Sequence, residues 1–101
     1  MGDKSWKAWE RRIARVFGGQ RRGPDVRGEH GGKTDVIHDH YAIEVKLLSR
    51  SNYGDVMEAC LQAERNAEPN QEPVAVVKRK YAEDKDALVV MRLETFREWR
   101  L

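Results

Sequence analysis

The sequence predicts a small α/β domain in which helices flank a mixed central sheet, with elements in the order α-β-β-α-β-β-α. Two segments carry apolar residues at helical spacing, and two pairs of short apolar runs alternate with them. Glycine, proline and polar residues separate these segments. A chain of 101 residues is the size of one domain, so we expect residues 1–101 to form a single unit.

Composition excludes several classes of protein. The one cysteine, Cys60, forms no internal disulfide and cannot by itself build a cysteine-based zinc site. No apolar stretch is long enough to span a bilayer, and the N-terminus lacks the apolar segment of a signal peptide. We therefore expect a cytoplasmic protein that does not engage membranes.

The first predicted helix is DKSWKAWERRIARVF, which ends at Gly18-Gly19. Its apolar stripe comprises Trp6, Trp9, Ile13, Val16 and Phe17. Glu10 lies four residues after Trp6 and three before Ile13, so it falls within that stripe. A carboxylate in this position is costly to bury unless a cation partners it. Glu10 is therefore an unusual residue that calls for a partner or a function.

Residues 18–33, GGQRRGPDVRGEHGGK, have no periodicity and predict a loop. Residues 1–33 hold 9 Lys and Arg against 4 Asp and Glu, whereas residues 34–101 hold 10 against 13. A basic N-terminal third suits a polyanion such as nucleic acid, although an ordinary solvated loop has the same composition. The candidate nucleic-acid-binding residues in this loop are Arg21, Arg22, Arg27 and Lys33.

Residues 34–46, TDVIHDHYAIEVK, predict a hairpin that contains three charges. If Asp39-His40 is a two-residue turn, Val36 lies opposite Ile43 and Asp35 lies opposite Glu44. Lys46 follows Glu44 by two residues and shares its face. Two acids would then face one another in an otherwise apolar strand pair.

The remaining chain predicts a second helix over residues 53–68, two strands and a short C-terminal helix or turn. The second helix has a stripe of small residues suited to close packing on a sheet: Val56, Ala59, Cys60, Ala63 and Ala67. The valine-rich runs PVAVVKRK and ALVVMRL predict interior strands covered on both faces. Phe96 and Trp99 lie in the final segment, where they either form a subunit interface or close the domain's own core.

Facing carboxylates repel one another and need compensation. A divalent cation such as Mg²⁺ accepts one or two carboxylates together with water and substrate phosphates. Lys46 could then stabilise charge on a phosphate undergoing cleavage, and Glu10 could supply a third acid. The alternative is that Lys46 bridges the two acids in a structural ion pair.

These residues resemble the PD-(D/E)XK nuclease superfamily. The pattern has three parts: a helix with Glu10, a strand that starts at Asp35, and a following strand with Glu44-Val45-Lys46. It looks most like the small archaeal and phage Holliday junction resolvases. The resemblance runs from about Lys4 to Val77. It implies a restriction-endonuclease-like fold and Mg²⁺-dependent cleavage of DNA, with Mn²⁺ as a substitute.

The resemblance also implies roles for individual residues. Glu10, Asp35 and Glu44 would be catalytic acids that hold the metal, with the Val45 carbonyl as a further ligand and Lys46 as the catalytic lysine. The implied partners are four-way or branched DNA and a second copy of the chain, because symmetric resolution of a junction needs two active sites.

Two assignments have competitors. Pro24-Asp25 is a literal Pro-Asp upstream of Glu44, but Asp35 is favoured because it leads into Val36-Ile37 and lies opposite Glu44. Gln62 occupies the second helix, where some superfamily members place an active-site glutamine; a surface glutamine is the simpler interpretation. The alternative functions are a phage-type nuclease that nicks other branched or duplex DNA and a non-catalytic DNA-binding module on the same fold.

Overall fold

The computed structural model describes residues 2–22, 34–50 and 52–101, with side chains from residue 6 onward. The elements in chain order are α1 (Gly2–Phe17), β1 (Gln20–Arg21), β2 (Val36–Ile37), β3 (Tyr41–Leu48), α2 (Tyr53–Asn66), β4 (Glu72–Arg79), a 3-10 turn (Asp84–Asp86), β5 (Leu88–Val90) and α3 (Leu93–Arg100). Within these ranges no helix is long and apolar enough to cross a membrane.

The strands form one mixed sheet in the order β1-β2-β3-β4-β5. The pairs β1–β2, β2–β3 and β4–β5 are antiparallel, and β3–β4 is parallel. A parallel pair needs a long crossover connection, which α2 provides. The predicted α/β class with a mixed sheet and flanking helices is confirmed.

The two long helices cover opposite faces of the sheet. Trp9 and Ile13 of α1 pack in a core with Val74 and Val76, whereas Ala59 and Cys60 of α2 pack against Ala75 and Val77 of the same strand, β4. Successive strand residues point to opposite faces, so α1 and α2 lie in separate layers. The small-residue stripe predicted for α2 is confirmed by the buried Ala59, Cys60 and Ala63.

The apolar stripe predicted for α1 is partly wrong. Val16 is exposed, and Ala14 is buried instead. At 100° per residue, the buried face is centred between Trp9 and Ala14, and Val16 lies about 90° from that centre. Glu10 is within the buried face, as the sequence predicted.

The predicted loop over residues 18–33 is wrong at its start, because Gln20–Arg21 form strand β1 against Val36–Ile37. Gly18 has φ +75°, and the Gly18 and Gly19 N–H groups donate to the carbonyls of Arg15 and Ala14, which ends α1. A Cβ at Gly19 would overlap the Ile37 carbonyl oxygen, so glycine allows β1 to approach β2.

The interior strand predicted for ALVVMRL is also wrong. The strand β4 is buried over most of its length, but β5 is a three-residue edge strand whose Leu88 and Val89 are exposed. Periodicity could not separate the two cases, because both runs are continuous and rich in valine.

The C-terminal helix α3 is fastened to the beginning of the parallel strands by a buried acid. Glu72, the first residue of β4, accepts a hydrogen bond from Arg100 Nε at 2.9 Å and lies 3.1 Å from His40 Nε2. Arg100 Nη2 also donates to the Tyr41 hydroxyl at 3.0 Å. This cluster of Glu72, His40, Arg100 and Tyr41 joins three segments that are distant in sequence.

Candidate functional site

The candidate acids converge where strands β2 and β3 meet. Val36 pairs with Ile43, so the predicted hairpin register is confirmed at that position. Asp35 directly precedes β2, whereas Glu44 and Lys46 lie on β3 and share one face of it. Glu10 enters from α1, on the other side of the sheet. The site therefore draws on two layers and two strands.

The side chain of Asp35, rather than its backbone, accepts a hydrogen bond from strand β3. Its backbone N–H donates to the Ile43 carbonyl at 3.1 Å, and its Oδ2 accepts a hydrogen bond from the Val45 N–H at 2.7 Å. The predicted Asp35–Glu44 cross-strand pair is therefore not a regular ladder pair. The two carboxyl groups nevertheless lie close enough for each to influence the pKa of the other. The irregular backbone brings Asp35 to the neighbouring acid and to the amide of Val45.

All three acids have raised pKa values. Burial, followed by the nearby charges of Asp35 and Glu10, raises the pKa of Glu44 from 4.5 to about 8. Burial also raises the pKa of Asp35, against the opposing effect of the Val45 N–H. The pKa of Glu10 is raised by burial and by the charge of Asp35. Without additional positive charge, this group of acids resists full ionisation.

One oxygen of this group is left without a partner. Glu44 is 6 % exposed, and its Oε1 atom is buried with no hydrogen-bond partner in the described part of the chain. Buried polar atoms are nearly always satisfied, so an unpaired carboxylate oxygen calls for a partner that the described residues do not supply. A hard divalent cation is such a ligand.

Glu10 pairs with Arg21, which the sequence predicted as a nucleic-acid-binding residue. Arg21 Nε donates to Glu10 Oε1 at 2.8 Å, and the guanidinium carbon lies 5.6 Å from the centre of the Trp6 ring. The predicted need of Glu10 for a cation is thus met by strand β1. Whether Arg21 also contacts nucleic acid stays a prediction.

Lys46 is exposed and does not bridge the acids. Its charge lowers the pKa of both Asp35 and Glu44, yet it forms no ion pair within 4.0 Å in the described residues. The alternative of a structural ion pair is therefore not the arrangement seen. Lys46 is close enough to influence the acids and is free to meet an incoming group.

The acids do not already form a complete metal cage. Across residues 2–22, 34–50 and 52–101, no three acidic, histidine or cysteine side chains approach closely enough to enclose an ion. The fit to a metal depends instead on the Asp35–Glu44 pair and the unpartnered Oε1. Mg²⁺ commonly uses one or two carboxylates and completes its shell with water and phosphate oxygens, which suits an open pair of this kind.

Two of the other candidates lie within the described residues. Gln62 is exposed on α2. Arg22 is half-buried, and its Nε donates to the Thr34 carbonyl at 2.7 Å. Asp25, Arg27 and Lys33 lie outside the described residues, so the choice between Asp25 and Asp35 is informed only by the position of Asp35.

A cleft of about 360 Å³ has one of the acids, Glu10, in its wall. Its lining residues are Trp6, Trp9, Glu10, Val45, Lys46, Leu47, Ser49 and Lys80. Of these residues, Trp6 and Trp9 were predicted to belong to the apolar stripe of α1. No local signal links Lys80 to α1, because the end of β4 reaches the cleft only through the parallel pairing with β3.

Comparison with known proteins shows no match for this chain to any family model, any curated protein or any solved structure.

Proposed function

We propose that this protein is a metal-dependent DNA endonuclease that hydrolyses phosphodiester bonds, acting on four-way or otherwise branched DNA as a homodimer. The observation that carries the proposal is the closeness of the half-buried Asp35 to the buried Glu44: both acids have raised pKa values, and Glu44 has a buried oxygen with no hydrogen-bond partner in the described residues. Lys46 stands beside them without an ion pair of its own in the described residues. This combination suits phosphoryl chemistry better than it suits stabilisation of the fold.

The restriction-endonuclease-like arrangement forms part of this proposal. Helix α1 precedes an antiparallel β1-β2-β3 group, and α2 then crosses over to β4, which is parallel to β3. Strand β1 was absent from the predicted element order. With β1 included, the Glu-Val-Lys triplet lies on the third strand, in the middle of the five-stranded sheet.

Asp35, Glu44 and the Val45 carbonyl would hold Mg²⁺, or Mn²⁺ in its place, and Glu10 would supply a third acid. The ion, when bound, supplies Lewis-acid polarisation of the phosphate and a more acidic water molecule. The Val45 N–H already fixes Asp35 Oδ2 at 2.7 Å, so this carboxylate is oriented before any ligand arrives. Glu10 is oriented by Arg21 in a similar way.

Lys46 contributes through its charge. During hydrolysis a water oxygen forms a bond to phosphorus while the phosphorus–oxygen bond to the leaving strand breaks, and a proton passes to the leaving oxygen. Negative charge builds up on the phosphate oxygens at that moment, and an ammonium group beside them stabilises it. Lys46 is exposed and close to Asp35 and Glu44, which suits this role.

The outer face of α1 supplies attraction for DNA. Lys7, Arg11, Arg12 and Arg15 are all exposed on this helix. Each phosphate neutralised by such residues releases counterions, so the logarithm of affinity should fall with the logarithm of salt concentration by about 0.9 per contact. Reversal of Arg21 and Arg22 to Glu should weaken binding to every DNA, although Arg21 also holds Glu10.

The homodimer stays a proposal, and the structure modifies the residues suggested for it. Trp99 packs edge-on against His40, with ring centres 5.8 Å apart, so it helps to close the domain itself. Phe96 is exposed, as are Leu93 on the same helix and Leu88 and Val89 on the edge strand β5. These four are the better candidates for a subunit contact. A location in the cytoplasm stays a prediction.

The test is cleavage of a labelled four-way junction and of a linear duplex with and without Mg²⁺, with Glu44→Gln as the inactive control. We expect Mg²⁺-dependent cutting that favours the junction and is lost in the variant. Cutting of one strand only by a monomer, judged by sedimentation, would favour the nicking nuclease. Binding without any cutting in Mg²⁺ or Mn²⁺ would leave only the DNA-binding module.

A further inference from the structure

We infer that the cleft lined by Trp6, Trp9, Lys46, Ser49 and Lys80 binds one unpaired nucleotide of a DNA strand, with its base on Trp6 and its phosphate near the lysines. The inference rests on the proposed function and specifies its substrate class. It predicts that the enzyme selects DNA with an unstacked nucleotide next to the cut, as at a branch or a single-stranded extension, over continuous duplex.

The size and position of the cleft suit a single nucleotide. Its volume of about 360 Å³ is at the lower end of ligand pockets, which range from about 300 to 1,000 Å³. Glu10 and the Val45–Lys46 segment of the candidate active site form part of its wall. A nucleotide held there would therefore belong to the same strand as the phosphate presented to Asp35 and Glu44.

Trp6 supplies a surface for stacking. It is 40 % exposed, although it lies on the buried side of α1. Lys7 and Arg21 place cations 5.9 and 5.6 Å from its ring centre. Exposed aromatic rings beside cations are how proteins hold unpaired bases irrespective of sequence. A base that remains paired within a duplex cannot reach such a ring.

Trp9 gives an independent indication of a ligand. Its side chain is 1 % exposed, and its indole N–H has no hydrogen-bond acceptor in the described part of the chain. The Lys78 Nζ lies 4.6 Å from its ring centre, where it donates to Asp84 Oδ1 at 2.8 Å, so it offers the indole N–H no acceptor. A buried donor without an acceptor is rare, and because Trp9 lines the cleft, we infer that an oxygen of the bound nucleotide is its acceptor. Lys46, Lys80 and the Ser49 hydroxyl add groups that suit a phosphate.

Binding is measured in a Glu44→Gln background, so that cleavage does not interfere. Fluorescence anisotropy compares a blunt duplex with a duplex that has a short single-stranded extension and the same number of phosphates. Trp6→Leu removes the ring and keeps an apolar side chain, and Tyr53→Leu is the matched control because Tyr53 is an exposed aromatic outside this cleft. Thermal melting verifies that each variant is folded.

We expect Trp6→Leu to weaken binding of the extended DNA about tenfold, the usual effect of losing one stacked base, and to leave the blunt duplex nearly unchanged. Tyr53→Leu should alter neither. Quenching of tryptophan fluorescence by the extended DNA should also be lost with Trp6. An equal loss for both DNAs, or no loss for either, would overturn the inference.

A second variant tests the phosphate position. Lys80→Gln should weaken binding of the extended DNA and reduce its salt slope by about one, whereas the exposed Lys85, outside the cleft, should tolerate the same change. An unchanged salt slope in Lys80→Gln would contradict the proposed site. Cleavage by the wild-type protein without preference for an unpaired nucleotide would refute this inference and leave the proposed endonuclease standing. Selective binding of DNA with an unpaired nucleotide, without any cleavage, would support this inference and refute the proposed endonuclease.

Discussion

Glu44 and Glu72 lie on adjacent parallel strands, and both are buried, with 6 % and 1 % of their surface exposed. Glu72 has Arg100 at 2.9 Å and His40 at 3.1 Å. Glu44 has two other acids as its neighbours, and one of its oxygens has no partner in the described residues. The sheet thus places Glu72 next to basic side chains and Glu44 next to acidic ones.

The difference shows what each acid does for the molecule. A buried carboxylate that serves the fold is paired with cations, as Glu72 is with the helix that it fastens. Glu44 raises the free energy of the folded state when it is ionised, since like charges repel most strongly where water is excluded. Such a group needs a balancing charge that the described residues do not supply, which is the physical reason for proposing a metal at Glu44 and none at Glu72.

The largest expected effect is on the rate of DNA cleavage, which should depend on Glu44 and not on Glu72. Glu44→Gln or Asp35→Asn should lower the rate of DNA cleavage by about 10³-fold or more, because the transition state loses its metal and its charge stabilisation. Glu72→Gln should retain the rate per folded molecule. Single-turnover cleavage with excess enzyme measures both, and DNA binding should change little in the inactive variants.

Equal activity of Asp35→Asn and the wild-type protein would remove Asp35 from the site and make Asp25 the next residue to substitute. A similar loss of activity in Glu72→Gln and Glu44→Gln, with both variants folded, would abolish the distinction between a structural and a functional acid.

The next effect concerns Lys46. Lys46→Ala should lower the rate of cleavage by about 10²-fold or more and leave the affinity for the metal ion almost unchanged, because the lysine acts on the substrate. Lys46→Arg should recover only part of the rate, since a planar guanidinium does not reproduce a compact ammonium group. A fall in metal affinity comparable to the loss of rate would instead assign Lys46 to the electrostatic support of the acids.

Stability should change in opposite directions in the two acid variants. Glu72→Gln should lower the free energy of unfolding by about 2 kcal/mol, because charged hydrogen bonds to His40 and Arg100 are lost. Glu44→Gln should raise the free energy of unfolding of the metal-free protein by roughly 1 kcal/mol, since it removes a buried charge that faces Asp35 and Glu10. Urea titration at pH 8 in EDTA measures both changes, and the same sign for both would contradict the comparison.

The least direct expected effect is a pH dependence specific to the candidate site. The folded pKa of Glu44, about 8, lies above its ordinary value of 4.5, so between these values the folded state binds more protons than the unfolded state. The metal-free protein should therefore lose stability as pH rises from about 5 to about 8. Mg²⁺ prefers the ionised acids and should raise the melting temperature more at pH 8 than at pH 6. In Glu44→Gln both trends should be reduced.

Much of the site was determined by sequence periodicity alone. The position of Glu10 follows from helical spacing, and the sharing of a strand face by Glu44 and Lys46 follows from strand alternation. The pairing of Val36 with Ile43 follows from the two-residue turn, and the structure confirms it. The small-residue stripe of α2 was predictable for the same reason. All of these relations are local, so a few residues of sequence are enough to define them.

Tertiary structure alone decided which charges are balanced. Arg21 reaches Glu10 because Gly19 lets a two-residue strand form where the sequence predicted a loop. Arg100 reaches Glu72 from 28 residues away, across the packing of α3 on the sheet. The exposure of β5 likewise depends on its being an edge strand rather than on its composition. Pairing between distant charges depends on long-range packing, which sequence periodicity does not encode. The sequence therefore located the acids, and only the fold determined which of them pair with a cation within the described residues.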